Sequence, residues 1–214
     1  MIPVKILAIR YLPGADEAFC KKLGVPQGYR SLGLITTDCD DATYIALDAA
    51  TKAADVRVCY ARSFYAGAAN ATTPNAGEVM GVLAGANPEA LKSGMEAVFS
   101  ALQRVGFEEV NGVPYLAHTV SSVGTFLAEE AGVRVGTAIS YLIAPPLEAM
   151  YGLDGALKAA DVKLCKLYSP PSETNFGGGL LSGTQSACDA ACRAFAERVR
   201  EVAERENLWN TTRT

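Results

Sequence analysis

No run of about 20 consecutive apolar residues occurs in this chain; Pro145, Pro146 and Glu148 interrupt the best candidate, so no segment reads as a membrane-spanning helix. Met1 to Leu12 carries Lys5 and Arg10 within its apolar part, and no small-residue cleavage site follows. It does not read as a secretory signal, and the chain is expected in the cytoplasm. Basic residues are scattered and the net charge is −4, which argues against the concentrated basic face that nucleic-acid phosphates require. Histidine is nearly absent: the single His118 lies in the apolar stretch Tyr115 to Val120 and reads as a partly buried strand residue rather than a ligand or base. The six cysteines are too dispersed for a disulfide scaffold. Cys59 and Cys165 fall in predicted strands, where a free thiol acts as a small apolar residue. Cys188 and Cys192 share one helix face, a spacing that can begin a metal site, but no second cysteine pair and no further histidine completes it. No metal is expected.

Catalytic signatures are missing as well. The chain has no Gly-x-Ser-x-Gly elbow, no Walker loop and no His-Glu-x-x-His. Gly177-Gly-Gly179-Leu-Leu-Ser-Gly183 has its glycines in the wrong positions for a dinucleotide fingerprint, lacks a following lysine, and reads as a flexible or closely packed loop. No catalytic residue is assigned, and an enzyme is not expected.

What the chain does contain, it contains twice. Lys52-Ala-Ala-Asp-Val-Arg-Val-Cys59 returns as Lys158-Ala-Ala-Asp-Val-Lys-Leu-Cys165, and Leu47-Asp48 returns as Leu153-Asp154 at the same offset of 106 residues (52 to 158, 47 to 153). Upstream, Gly14 to Gly24 resembles Gly124 to Gly132, and each leads into an apolar run, Leu32 to Ile35 and Tyr141 to Ala144. A repeat of this length is a small globular fold rather than a solenoid unit. Each copy reads strand, helix, strand, helix, strand, loop, strand, helix, giving an α/β fold with a sandwich layer per copy. The boundary is placed near Val105 to Val113, which divides the chain into residues 1–108 and 109–214.

The helices explain the pattern. Ala46, Ala49, Ala50 and Ala53 recur at helical spacing and let one helix lie close against a sheet; Ala149 to Asp161 repeats the arrangement. Leu91, Met95, Val98, Leu102 and Val105 form the apolar face of another. Before the first of these helices, Asp38, Asp40 and Asp41 cluster. Asp40 and Asp41 serve either as N-caps that compensate the helix dipole or, with Glu78, as carboxylates for a small organic cation. Two loops rich in small residues, Asn and Thr, Phe64 to Gly77 and Ser169 to Gly179, follow the repeated strands.

Ser31-Leu-Gly-Leu-Ile-Thr-Thr-Asp-Cys-Asp-Asp-Ala-Thr-Tyr44, Tyr65-Ala-Gly-Ala-Ala-Asn70, Ala76-Gly-Glu-Val79, Tyr141-Leu-Ile-Ala-Pro-Pro-Leu-Glu-Ala-Met-Tyr151 and Pro170-Pro-Ser-Glu-Thr-Asn175 resemble the ethanolamine-utilisation shell proteins, a family of tandem, circularly permuted bacterial-microcompartment domains. The resemblance runs from about Val4 to Ala203. It implies two domains, each an antiparallel sheet flanked by helices, and a homotrimer of six domains that tiles with other shell proteins into a hexagonal layer around an organelle. It implies a gated central pore lined by Tyr65, Ala66, Gly67 and Asn70 of one loop and by Pro171, Glu173, Thr174, Asn175 and Phe176 of the other. Ethanolamine is implied as a ligand of Asp40, Asp41, Glu78 and Phe107, favouring the closed pore, and cobalamin is admitted at the pore; no resident cofactor is expected. Lys52 and Lys158 correspond to the edge lysines that pack between neighbouring hexagons. A free cytosolic sensor that binds a cationic amine through tandem α/β domains is the second function class compatible with the same residues.

Overall fold

The computed structural model describes residues 1–64, 78–170 and 172–205, which form two compact units. One comprises Ile2–Gly106 with Ser122–Gly136, the other Phe107–Ser121 with the chain from Thr137 onward.

The first unit contains β1 (Ile6–Leu12), α1 (Glu17–Lys22), β2 (Ser31–Thr37), α2 (Asp40–Ala53), β3 (Val56–Phe64), β4 (Glu78–Gly85), α3 (Pro88–Leu102) and, from later in the chain, α4 (Thr125–Ala131). Its sheet is antiparallel in the order β1-β2-β4-β3. One face lies under α2 and α3: a side chain at Gly33 would meet Met95, and one at Gly81 would meet Leu47. Small residues in the strands thus let the alanine-rich helix approach, as the sequence pattern predicts. On the other face Ala15 and Cys20 of the α1 segment pack with Leu32, Val82 and Ala84.

The second unit contains β5 (Glu108–Val110), β6 (Val113–Val120), β7 (Ala138–Ala144), α5 (Pro146–Ala159), β8 (Val162–Tyr168), β9 (Gly177–Gly183) and α6 (Gln185–Glu204), with its antiparallel sheet ordered β5-β6-β7-β9-β8. Its core joins Tyr115, Leu142 and Leu181 of the sheet to Leu153 of α5 and to Cys192, Phe195 and Val199 of α6. The helix break expected near Gly106 becomes a hairpin. Asn111 and Gly112 both take positive φ (49° and 81°), the conformation that a tight two-residue turn demands, and β5 folds back on β6.

The glycine run is not a loop. Gly177 to Gly179 lie inside β9, where a Cβ at Gly178 would sit 1.9 Å from the Leu142 carbonyl oxygen and one at Gly179 2.6 Å from that of Lys166. Only glycine allows the neighbouring strands this approach. The repeated cysteines also depart from expectation. Cys59 and Cys165 are half-buried rather than core residues, and each sits where the strand register slips against its partner, between Val58 and Tyr60 and between Leu164 and Lys166. An extra residue at such a slip turns away from the regular alternation, so a strand pattern places it wrongly. Cys188 and Cys192 do share a helix face, and it is the buried one: the Thr119 hydroxyl lies 3.4 Å from the Cys192 sulfur, and burial pushes both thiols up. His118 is half-buried in β6, opposite Tyr141.

Contacts cross the repeat boundary, because Ser122–Gly136 packs with the first unit. The cause is a helix cap supplied from a distance. Residue 124, at the N-cap of α4, is glycine and offers no capping side chain. The Asp48 carboxylate, on α2, takes the N–H groups of Gly124 (2.7 Å) and Leu127 (2.9 Å), while Thr51 Oγ1 takes that of Thr125 (3.0 Å). A Cβ at residue 124 would lie 2.1 Å from Thr51 Oγ1, so the approach requires glycine. Asp48 is wholly buried, and Lys52 lies 3.3 Å from it while donating to the Ser122 carbonyl at 2.7 Å. Replacing Asp48 with Ala leaves two buried donors without an acceptor and is expected to cost about 2 to 4 kcal/mol in denaturant unfolding. The Leu127 amide should lose its hydrogen-exchange protection first. Unchanged stability with a protected Leu127 would refute the cap.

Candidate functional site

Besides Asp48, the first unit contains three buried carboxylates, Asp40, Asp41 and Glu78. Asp40 and Asp41 open α2, but neither is its N-cap: that position is Cys39, which makes no side-chain cap bond. The helix starts a turn earlier than its alanine pattern suggests because Thr37 and Thr43, whose hydroxyls lie 2.7 Å apart, both donate to the Cys39 carbonyl. Asp40 and Asp41 therefore stand in the first helical turn, where the dipole favours negative charge. Asp40 Oδ1 takes the Asp41 N–H at 2.9 Å, and its Oδ2 takes the Ser63 hydroxyl at 2.5 Å; Ser63 also lies 2.6 Å from the Tyr44 hydroxyl. Neither Ser63 nor Tyr44 was assigned from the sequence, where a serine in a strand and a tyrosine in a helix carry no functional signal.

Glu78 begins β4, opposite Phe64 and one residue from the pair of Ser63 with Val79. It is buried, and its Oε1 has no hydrogen-bond partner among the described residues. Burial without a partner is costly for an acceptor. Asp40 is held well above the ordinary carboxylate range, first because burial removes it from water and second because of the neighbouring Asp41 charge; the bonds from Ser63 and the backbone only partly oppose this. The same burial, with Asp40 and Asp41 beside it, raises the Cys39 thiol.

Phe107 belongs to the other unit. It is fully buried, and its ring centroid lies 5.8 Å from that of Phe176 at the end of the segment between β8 and β9. That segment is a tight turn: the Thr174 N–H donates to Ser172 Oγ and the Phe176 N–H to Thr174 Oγ1, with Thr174 buried and Glu173 and Asn175 exposed. Tyr65, Ala66, Gly67, Asn70 and Pro171 lie outside the described residues. The repeated lysines are not equivalent. Lys52 is tied to Ser122 and Asp48, whereas Lys158, its side chain 74% exposed, pairs among the described residues within its own helix, with Asp154 at 2.6 Å.

A BMC domain model matches residues 31–113. The chain is 53% identical over 207 residues to the bacterial microcompartment shell protein EutL of Clostridium perfringens, with 95% of each chain covered. The chain belongs to the EutL family of bacterial microcompartment shell proteins. The crystal structure of the ethanolamine utilization protein EutL from Leptotrichia buccalis superposes with a TM-score of 0.91 at 52% identity, covering 97% of this chain and 98% of that one. The fold is shared more widely: a trimeric bacterial microcompartment shell protein, PduB, matches with a TM-score of 0.79 at 18% identity, covering 93% and 89%. The relatives are named as shell proteins, which is a structural role rather than a catalytic one.

The pH dependence of the acid corner has a definite sign. Because the folded state holds the Asp40 proton to higher pH than the unfolded chain does, the folded state binds more protons above about pH 4, and stability falls as pH rises through the folded value. Asp40→Asn keeps an acceptor for Ser63 but removes the titration. Relative to the parent, the variant should gain stability between pH 4 and pH 7 in urea unfolding. A difference that does not change with pH would contradict the raised value.

Proposed function

We propose that three copies of this chain form a flat trimer of six domains that tiles into a microcompartment shell, and that Asp40, Asp41 and Glu78 hold a small primary amine such as ethanolamine within it. The observation that carries the ligand assignment is Glu78 Oε1, buried and without a partner among the described residues, on β4 next to the Val79 that pairs with Ser63, the residue bonded to a raised Asp40. An ammonium group answers both conditions: it donates up to three hydrogen bonds and carries a charge that favours an ionised carboxylate. Ser63 and Tyr44 provide hydroxyls for the alcohol end.

The pore is the finer part of the proposal. Phe107, which the family resemblance assigns to the ligand, leans on Phe176 of the Ser169 to Gly179 loop, which the resemblance assigns to the pore. A ligand shifts a pore between closed and open only if it binds one state more tightly, so contacts that differ between the states are required. Of the two repeated lysines, the exposed Lys158 is the freer to meet a neighbouring trimer at the shell edge.

Sedimentation of the purified protein should give a species of three 22.5 kDa chains, and electron microscopy at rising concentration should show hexagonally tiled sheets. A discrete oligomer that never tiles would replace the shell reading with that of a soluble amine sensor. In calorimetry, ethanolamine should bind the parent protein and lose at least about tenfold in affinity, roughly 1.4 kcal/mol, in Asp40→Ala and in Glu78→Ala. Equal affinity in parent and variants would remove the site.

A further inference from the structure

Equivalent rows of the two sheets are filled with different chemistry, and the difference marks a site. In the first sheet Gly33 pairs with Tyr11 on one side and Leu83 on the other. Met95 and Leu91 of α3 pack onto it; a Cβ there would lie 3.0 Å from the Met95 sulfur and 3.2 Å from Leu91. In the second sheet the matching residue is Ser140, paired with Thr119 and Leu181, and α6 brings Cys188 and Cys192 to it. A glycine under two large apolar side chains is replaced by a serine beside two thiols. Packing asks for neither thiol nor hydroxyl at this place, as the first unit shows.

The four groups converge from three elements. Cys188 and Cys192 share the buried face of α6. The Thr119 hydroxyl of β6 lies 3.4 Å from the Cys192 sulfur, and the Ser140 hydroxyl of β7 donates to the Cys188 carbonyl at 3.0 Å. Burial pushes both thiols up; the Ser140 hydroxyl opposes this at each of them, and the Thr119 hydroxyl does so at Cys192. Helix residues four apart hold their Cβ atoms about 5 to 6 Å apart, whereas a disulfide needs about 3.5 to 4.5 Å. The pair therefore does not close into a disulfide while α6 stays helical. A single ion seated between the two sulfurs spans the same gap.

We propose that Cys188 and Cys192 bind one soft monovalent metal ion of the copper(I) class between their sulfurs, with the Ser140 and Thr119 hydroxyls beside the thiolates. Soft thiolates select such an ion, and linear coordination by two sulfurs needs neither a second cysteine pair nor a histidine. Only the thiolate is a ligand, so one ion and two thiols give a dithiolate complex with a single negative charge, and both thiol protons pass to solvent. That charge lies in the first turns of α6, where the helix dipole favours an anion and the first turn carries no acidic residue. Asp189, the next residue along, works against it. Zinc does not fit, because it takes four ligands and the single His118 precedes Thr119 on β6 and so faces the other side of the sheet. Access runs past the half-buried Thr119 to Cys192, which keeps 8% exposure.

The test uses the full chain with its two half-buried thiols removed, Cys59→Ser and Cys165→Ser, so that they do not compete. Copper(I) is added without oxygen and then challenged with the chromogenic chelator bathocuproine disulfonate. One ion per chain should stay bound, with the ultraviolet charge-transfer absorption of a copper–thiolate and two sulfur neighbours in X-ray absorption. In this background Cys188→Ser and Cys192→Ser should each weaken binding by about 100-fold or more, and Ser140→Ala by about tenfold, with circular dichroism showing an intact fold. An ion that the chelator strips from the background protein, one that the serine variants hold as tightly, or zinc held as firmly as copper(I) overturns the assignment. Should a serine variant fail to fold, the spectrum of the background protein decides: a bound ion without two sulfur neighbours overturns the site.

Discussion

A buried carboxylate without which one helix has no start organises the first unit. Asp48 lies on α2, is shielded from water, and holds the two leading amides of a helix that belongs to the next repeat in sequence. A buried charge is tolerated only when its oxygens are well satisfied, and here two backbone N–H groups and Lys52 do so together. The same geometry requires glycine at position 124, since any side chain there would strike Thr51. One interaction therefore determines which unit Ser122–Gly136 joins, ties Lys52 to Asp48 and Ser122, and covers a stripe of α2 whose counterparts on α5 are exposed.

Much of this was legible in the residues. The offset of 106 announced two copies, and the structure repeats β2, α2 and β3 as β7, α5 and β8. Alanine spacing on α2 and the apolar face of α3 described packing that the sheet then confirmed. The failures share a cause: each depended on what lies opposite in space. Cys59 and Cys165 read as core because alternation put them there, and a register slip in the strand moved them. The glycine run read as a loop because glycine usually marks one, whereas the closeness of the Leu142 and Lys166 carbonyls makes it a strand. The identical Leu-Asp and Lys residues of the two copies gave no sign that Asp48 would be buried and Asp154 exposed, because that difference is made by a segment 76 residues away.

The acid corner shows the same division between type and state. Asp38, Asp40 and Asp41 near a helix start and Glu78 further on were visible in the chain, but the burial of Asp40, Asp41 and Glu78, the elevation of Asp40 and the Glu78 oxygen without a partner among the described residues were not. Burial rather than residue type sets the state of such a group: the same aspartate at an exposed helix start would be an ordinary dipole-compensating anion.

The central claim is that α2 holds the start of α4 through the Asp48 carboxylate and Thr51. Site-resolved amide hydrogen exchange on a Gly124→Ala variant tests it directly, because the added Cβ would meet Thr51 Oγ1. The account predicts that the Leu127 amide loses its protection while the amides of β7 and β9 keep theirs. A Leu127 amide as protected as in the parent protein would contradict it.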